Sequence, residues 1–299
     1  MDFNYLFSAY PFVFIGSTGL LGLLVGSFLN VAIYRLPVMM EREWTSQCRE
    51  LLNCQCHHPD KDSDISTEKT EPFNLILPNS HCPQCQTQLK SWDNIPVLSF
   101  LLLKGQCRYC GSTISPRYPI IEAITALLSA YVGYHFGFNW HCGAALGLTW
   151  ALITLTMIDF DHQLLPDDIT LPLLWLGLLL NLFDIFTDLQ SAVIGAILGY
   201  LALWSVYWLF KIVTGKEGMG YGDFKLLAVF GAWFGWQLIP LIIIVSSVVG
   251  AAVGITLIIV MGRDKNIPIP FGPYLAAAGF IAMLWGEPLT ELYLKTISI

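Results

Sequence analysis

Apolar runs of about 20 residues, each long enough to cross a hydrocarbon core of about 30 Å, recur along most of the 299-residue chain. The first runs from about Pro11 to Tyr34. A polar stretch from Arg35 to about Arg117 separates it from seven more, centred near Leu128, Leu148, Leu176, Leu201, Phe230, Val249 and Gly279. Short turns marked by Gly, Asn, Asp or Pro join these runs. Between Trp233 and Pro240 the boundary is soft, because Gly235 and Pro240 mark either a tight turn or a break in one longer segment. Seven spans are therefore the alternative to eight. The pattern predicts an all-α polytopic membrane protein of about eight transmembrane helices. It divides into a first span (1–34), a polar domain (35–117) and a seven-span domain (118–299).

Composition sharpens that picture. Hydrophobic residues make up 55% and charged residues 12% of the chain, against roughly 25% charged in a soluble domain, which excludes an ordinary water-soluble enzyme. The net charge of −7 is thinly spread, and nucleic-acid binding would need a clustered basic face. No basic residue precedes the first apolar run, so that run is expected to stay in the mature protein and not to act as a cleaved signal.

Lys and Arg collect in cytoplasmic loops of membrane proteins. With eight spans, Arg35, Arg42, Arg49, Lys61, Lys69, Lys90, Lys104, Arg108 and Arg117 lie in the polar domain. Lys211, Lys216, Lys225, Arg263 and Lys265 fall in later loops on the same side, and Lys295 alone lies opposite. The asymmetry predicts a cytoplasmic polar domain with both termini outside. It also favours eight spans, since losing the turn near Trp236 would send Arg263 and Lys265 outward.

Within the polar domain, Val38 to Asn79 is mixed in charge and poor in aromatics, and is expected to be a solvated, partly disordered insertion. Beyond it, Cys82-Pro83-Gln84-Cys85 and Cys107-Arg108-Tyr109-Cys110 form two Cys-x-x-Cys knuckles separated by 21 residues. Four thiolates paired in this way suit a tetrahedral, structural Zn²⁺ in a small zinc-ribbon-like domain. The spacer slightly exceeds the usual range of about 15–20. Disulfides and unligated thiols are the alternatives, and a reducing compartment disfavours the disulfides. Cys48, Cys54 and Cys56 lie in the insertion, where Cys54-Gln55-Cys56-His57-His58 offers a second metal-binding run without a partner knuckle. Cys142 reads as a small buried apolar residue.

Acidic residues at span ends are costly unless they have a role. Asp159, Asp161, Asp167 and Asp168 cluster where the third span closes and the fourth opens. Asp223, in Gly218-Met219-Gly220-Tyr221-Gly222-Asp223, opens the sixth, and both places lie on the predicted cytoplasmic face. Paired carboxylates can hydrolyse a peptide bond, because two held close cannot easily both ionise. One then activates water while its protonated partner polarises the scissile carbonyl. On a continuous helix Asp159 and Asp161 point about 200° apart, so only one can face the partner, and Asp159 sits deeper. The glycines before Asp223 allow a substrate strand to approach closely.

These segments resemble the type IV prepilin peptidase family, membrane aspartic proteases of the Gly-x-Gly-Asp type. The likeness rests on Gly26-Ser27-Phe28-Leu29-Asn30-Val31-Ala32-Ile33-Tyr34-Arg35-Leu36-Pro37, both cysteine knuckles, and Ile158-Asp159 leading to Leu165-Pro166-Asp167. Gly220-Tyr221-Gly222-Asp223-Phe224-Lys225 and Pro270-Phe271-Gly272-Pro273-Tyr274 complete it. The family's first catalytic aspartate lies seven residues before a turn proline, a spacing that Asp159 and Pro166 match and Asp161 does not; Asp223 takes the second position. The resemblance implies an inner-membrane bacterial enzyme that cleaves the basic leader of type IV prepilins and of type II secretion pseudopilins on the cytoplasmic side. It also implies methylation of the new N-terminus with S-adenosylmethionine. Lys104-Gly105-Gln106-Cys107-Arg108 matches a segment linked to methylation, which points to Gly105, although a turn before the knuckle accounts for that glycine equally well. Glu122 either faces the same cavity or serves as a helix-terminal residue. A cation-coupled transporter using Asp159 and Asp223 and a zinc-stabilised scaffold are the rivals, and neither predicts leader cleavage.

Overall fold

The computed structural model describes residues 7, 9–52, 73–261 and 269–297. The main α-helices among them are α1 (Pro11–Leu52), α2 (Leu98–Leu102), α3 (Arg117–Phe136), α4 (Trp140–His162), α5 (Asp167–Asn181), α6 (Leu189–Thr214), α7 (Tyr221–Phe234), α8 (Ile239–Met261) and α9 (Gly272–Ile297). Isolated bridges at His81–Gln88 and Gln106–Thr113 are the only β pairings among the described residues. The chain divides into two compact units, Gly22–Ala126 and Met1–Leu21 with Leu127–Ile299.

Each of the seven centres anticipated after the polar stretch falls in one of α3 to α9. Four segments, Pro11–Leu51, Trp140–His162, Leu189–Thr214 and Trp236–Val260, are long and apolar enough to cross a membrane. The 15 residues of α5 and 14 of α7 reach only about 21–23 Å at 1.5 Å per residue, short of a bilayer core. Gly235, at φ 81°, stops α7, and a short 3₁₀ turn at Trp236–Leu238 leads into α8.

The first helix corrects one expectation. It continues past Tyr34, where the apolar run ends, to Leu52, so 38–52, the start of the stretch expected to be partly disordered, is helical. Its composition was read as solvated, and residues 41–50 are indeed exposed. Yet Met, Glu, Arg, Gln and Leu are also strong helix formers, and the Gln47 amide donates to Glu43 at i,i+4 spacing (3.2 Å). Solvation and helicity are compatible, and the mixed-charge pattern did not separate them. Residues 53–72 of the insertion, with Cys54, Cys56, His57, His58, Lys61 and Lys69, lie outside the described residues, as do Arg263 and Lys265.

In the unit that contains α4 to α9, the core is built around α7. This helix is apolar on every side, and from Asp223 to Phe234 every residue except Lys225 is buried; a helix without a polar face must be enclosed. It packs on α5, α6, α8 and α9. Against α6 the two backbones touch: a Cβ added at Gly199 would lie 2.6 Å from the Leu227 carbonyl oxygen. Trp233 donates its indole N–H to the Leu173 carbonyl on α5 (2.8 Å). The last carbonyls of α7, which lack helical partners, accept from the Asn181 amide at 2.8 Å (Ala232) and 2.9 Å (Trp233). Replacing Gly199 with valine should force α6 from α7 and destabilise the protein by at least about 2 kcal/mol, a typical cost of overpacking. Thermal unfolding in detergent with an unchanged midpoint would refute this contact.

Candidate active site

Asp159 lies in the last turn of α4, which ends where Gln163 takes a left-handed conformation (φ 55°) and donates its N–H to the Asp159 carbonyl (2.9 Å). Asp223 lies in the first turn of α7. Both are buried, each 6% exposed, and the two carboxyl groups are near enough to interact electrostatically. Asp161, Asp167 and Asp168 are exposed. Of these, Asp167 pairs with Lys225 through both carboxylate oxygens at 2.7 Å, which ties the start of α5 to α7 just beyond Asp223.

A third element joins the two acids. The N–H of Gly272, at the start of α9, donates to Asp159 Oδ2 at 3.0 Å. Leu165 fills the space beside this contact: a Cβ at Gly222 would lie 2.7 Å from Leu165 Cβ, and one at Gly272 would lie 3.2 Å from Leu165 Cδ2. The glycines adjoining the acids therefore do more than bend the backbone. They let α4, α7 and α9 converge to side-chain contact around one small volume. Sequence reasoning gave Gly272 no role of its own. The available signal was the Gly272-Pro273 pair, since proline is favoured in the first turn of a helix and the N–H groups there are left for another acceptor.

The two knuckles, in Gly22–Ala126, repeat one geometry. Gln86 N–H donates to the Cys82 carbonyl and Gly111 N–H to the Cys107 carbonyl, both at 2.9 Å. Gln86 and Gly111 have φ of 57° and 70°. Cys82 N–H then reaches Thr87 O (3.0 Å) and Cys107 N–H reaches Ser112 O (2.8 Å). This brings the Sγ atoms of Cys82, Cys85, Cys107 and Cys110 within 4.8 Å of one another, with Cys82 and Cys110 at 3.8 Å. A tetrahedral metal with sulfur ligands at about 2.3 Å requires sulfur–sulfur separations near 3.8 Å, so the cluster can hold a metal ion. None of the four is in a disulfide. The N–H groups of Cys85 and then Gln84 pull the Cys82 thiol down to about 6 and the Ser112 hydroxyl lowers Cys110, which favours the metal-binding thiolate at those two, whereas burial and the neighbouring thiols of Cys82 and Cys110 raise Cys107. Cys48 is exposed on α1, and Cys142 is buried in the apolar core.

A cavity of about 490 Å³ adjoins the cluster, with Cys82, Cys107 and Glu122 in its wall. Glu122 is 8% exposed and accepts from the Val97 N–H at 2.7 Å. Gly105 takes a different place. At φ 72° it closes the turn after α2, with its N–H on the Phe100 carbonyl (2.9 Å), and a Cβ there would meet the Phe100 ring at 3.1 Å. It supports the cavity from behind Phe100.

Comparison with known proteins agrees with this division. Residues 20–136 match the bacterial peptidase A24 N-terminal domain, and residues 146–255 match the type IV leader peptidase family. A prepilin leader peptidase/N-methyltransferase of Stutzerimonas stutzeri is 55% identical over 95% of each chain. Those of Pseudomonas aeruginosa, at 54% over 96% of each chain, and Legionella pneumophila, at 45% over 97% of this chain and 98% of the other, are also similar. No solved structure matches. With relatives this similar along nearly its entire length, the chain belongs to the type IV leader peptidase family.

Proposed function

We propose that this membrane enzyme cleaves the leader peptide from type IV prepilins and related pseudopilins with Asp159 and Asp223, then methylates the new N-terminal amine from S-adenosylmethionine. The observation that carries the peptidase reading is that two buried carboxylates, 64 residues apart in sequence, lie within electrostatic reach of each other, one of them accepting from the Gly272 N–H. In such a pair one carboxylate takes a proton from water as the oxygen attacks the scissile carbonyl carbon, and the protonated partner polarises the carbonyl oxygen. Collapse of the tetrahedral intermediate breaks the C–N bond, and the amine leaves with a proton from the pair.

Eight membrane crossings, with the polar domain and the acid pair on the cytoplasmic face of the inner membrane and both termini outside, account for the charge asymmetry, with α1 and α3 to α9 as the crossing elements. On this reading the cysteine cluster holds a structural zinc, since a closed four-thiolate site leaves no coordination position open for chemistry. Methyl transfer follows cleavage. The amine nitrogen, as its neutral form, bonds to the donor methyl carbon, the carbon–sulfur bond breaks with its electrons passing to sulfur, and the amine gives up a proton.

Mass spectrometry of a prepilin incubated with purified protein and S-adenosylmethionine tests the proposal. Loss of the leader together with the mass of one added methyl group is the expected result, and an intact prepilin would overturn it. Cys82→Ser should abolish stoichiometric zinc by elemental analysis and loosen Gly22–Ala126, because metal binding and folding are coupled in such small domains. Methyl transfer should fall further than cleavage, since Cys82 and Cys107 also wall the cavity. Unchanged zinc content would remove Cys82 from the ligand set.

A further inference from the structure

We infer that the cavity in Gly22–Ala126 is the binding site of the methyl donor, with the Glu122 carboxylate serving the sulfonium and Arg35 the donor's carboxylate. The inference rests on the methyltransferase activity proposed above and assigns it a place. Cavities of 300–1,000 Å³ suit cofactor-sized ligands, and about 490 Å³ is available here, walled by Tyr34, Phe100 and Tyr118 among others. Aromatic faces attract cations, and they also stack on a flat heterocycle.

The charged residues make the cavity specific. Glu122 is more than nine-tenths buried. It is held by the Val97 N–H at 2.7 Å, and among the described residues no Lys or Arg pairs with it. A buried carboxylate without a cation is costly, and a ligand can supply the missing charge. Asp93 offers a contrast in the same cavity, as its carboxylate is already paired with Arg108 at 2.7 Å.

Arg35, 7% exposed, donates to the carbonyls of Asn74 (2.8 Å) and Pro78 (2.6 Å). Those acceptors are neutral, and among the described residues no carboxylate pairs with the guanidinium. A wall with one buried acid and one buried guanidinium that have no ionic partner among the described residues suits a ligand that carries both signs. S-adenosylmethionine has a sulfonium, an ammonium and a carboxylate on one short chain, attached to an adenine nucleoside.

The test compares binding of S-adenosylmethionine with that of S-adenosylhomocysteine, which lacks the transferable methyl group and with it the sulfonium charge, to the full-length, metal-loaded protein in detergent without prepilin. The wild type is expected to prefer the charged donor by roughly tenfold. Glu122→Gln should lose that preference while keeping its affinity for the neutral thioether. A preference unchanged in Glu122→Gln would overturn the role of this carboxylate. Because this variant can fail to fold, unmodified protein is also irradiated with methyl-labelled donor. Label on peptides containing Tyr34, Phe100 or Tyr118 supports the site. Label confined to Leu127–Ile299, with prepilin methylation intact, overturns the location and leaves the methyltransferase standing. Absence of both donor binding and methylated product overturns the two together.

Discussion

Asp223→Asn and Asp159→Asn are each expected to lower prepilin cleavage by roughly 10³-fold or more, in keeping with the loss of a general acid or base. The fold should survive, since Asn matches Asp in shape and can still accept the Gly272 N–H at position 159. The double variant should be little worse than either single one, because residues that act as a unit are strongly non-additive. Leader release timed by gel or mass spectrometry would check this. Full activity in either folded variant would remove that residue from the pair, and independent, multiplying losses would argue that the two acids serve separate steps. Methylation of a synthetic peptide that already lacks its leader should proceed in both variants, since the methyl-transfer reading uses only groups of Gly22–Ala126.

Gly272→Ala should be nearly as damaging to cleavage although it deletes no functional group. The added methyl would lie 2.6 Å from Asp159 Oδ2 and 3.1 Å from its Cγ, so the carboxyl group must turn away from the position that the Gly272 N–H gives it. Misplacement of a reacting group by about 1 Å can cost roughly 100-fold, and a loss of that order is expected in kcat with KM little changed. The split between the two constants separates displaced chemistry from weakened substrate binding. Wild-type kcat in a folded Gly272→Ala protein would show that Asp159 tolerates displacement and that the contact is incidental.

How far the sequence anticipated this arrangement differs from one element to the next. The seven helices after the polar stretch were readable because each carries its own apolar run between turn residues. The contrast between Asp159 and Asp161 was readable too, because helical periodicity separates neighbours two apart, and one is buried while the other is exposed. The cysteine knuckles declared themselves by spacing, and their sulfurs meet as that spacing requires.

What escaped the sequence depends on distant partners. Nothing local to Gly272 says that its N–H will reach a carboxylate 113 residues earlier. Glu122 looked equally like a helix-terminal residue, because its anchor, Val97 N–H, belongs to another part of the chain. Gly105 matched a segment linked to methylation and equally a turn before the knuckle, and its positive φ shows the turn. The extension of α1 to Leu52 was missed because exposed helix and exposed coil share a composition when no buried face imposes a period.

The enclosure of α7 bears on how the chain is made. A helix of 14 residues with an acid in its first turn is a poor candidate for independent entry into a bilayer, where a central aspartate costs roughly 2.5–3.5 kcal/mol on insertion scales. The 26-residue α6 leaves the ribosome first and can span unaided. Through Gly195 and Gly199 it offers a groove that α7 fills backbone to backbone. Biogenesis is therefore expected to have an order: the helix bearing the second acid enters as the partner of one already in place, and the Gly272 N–H reaches Asp159 only once α9 has followed.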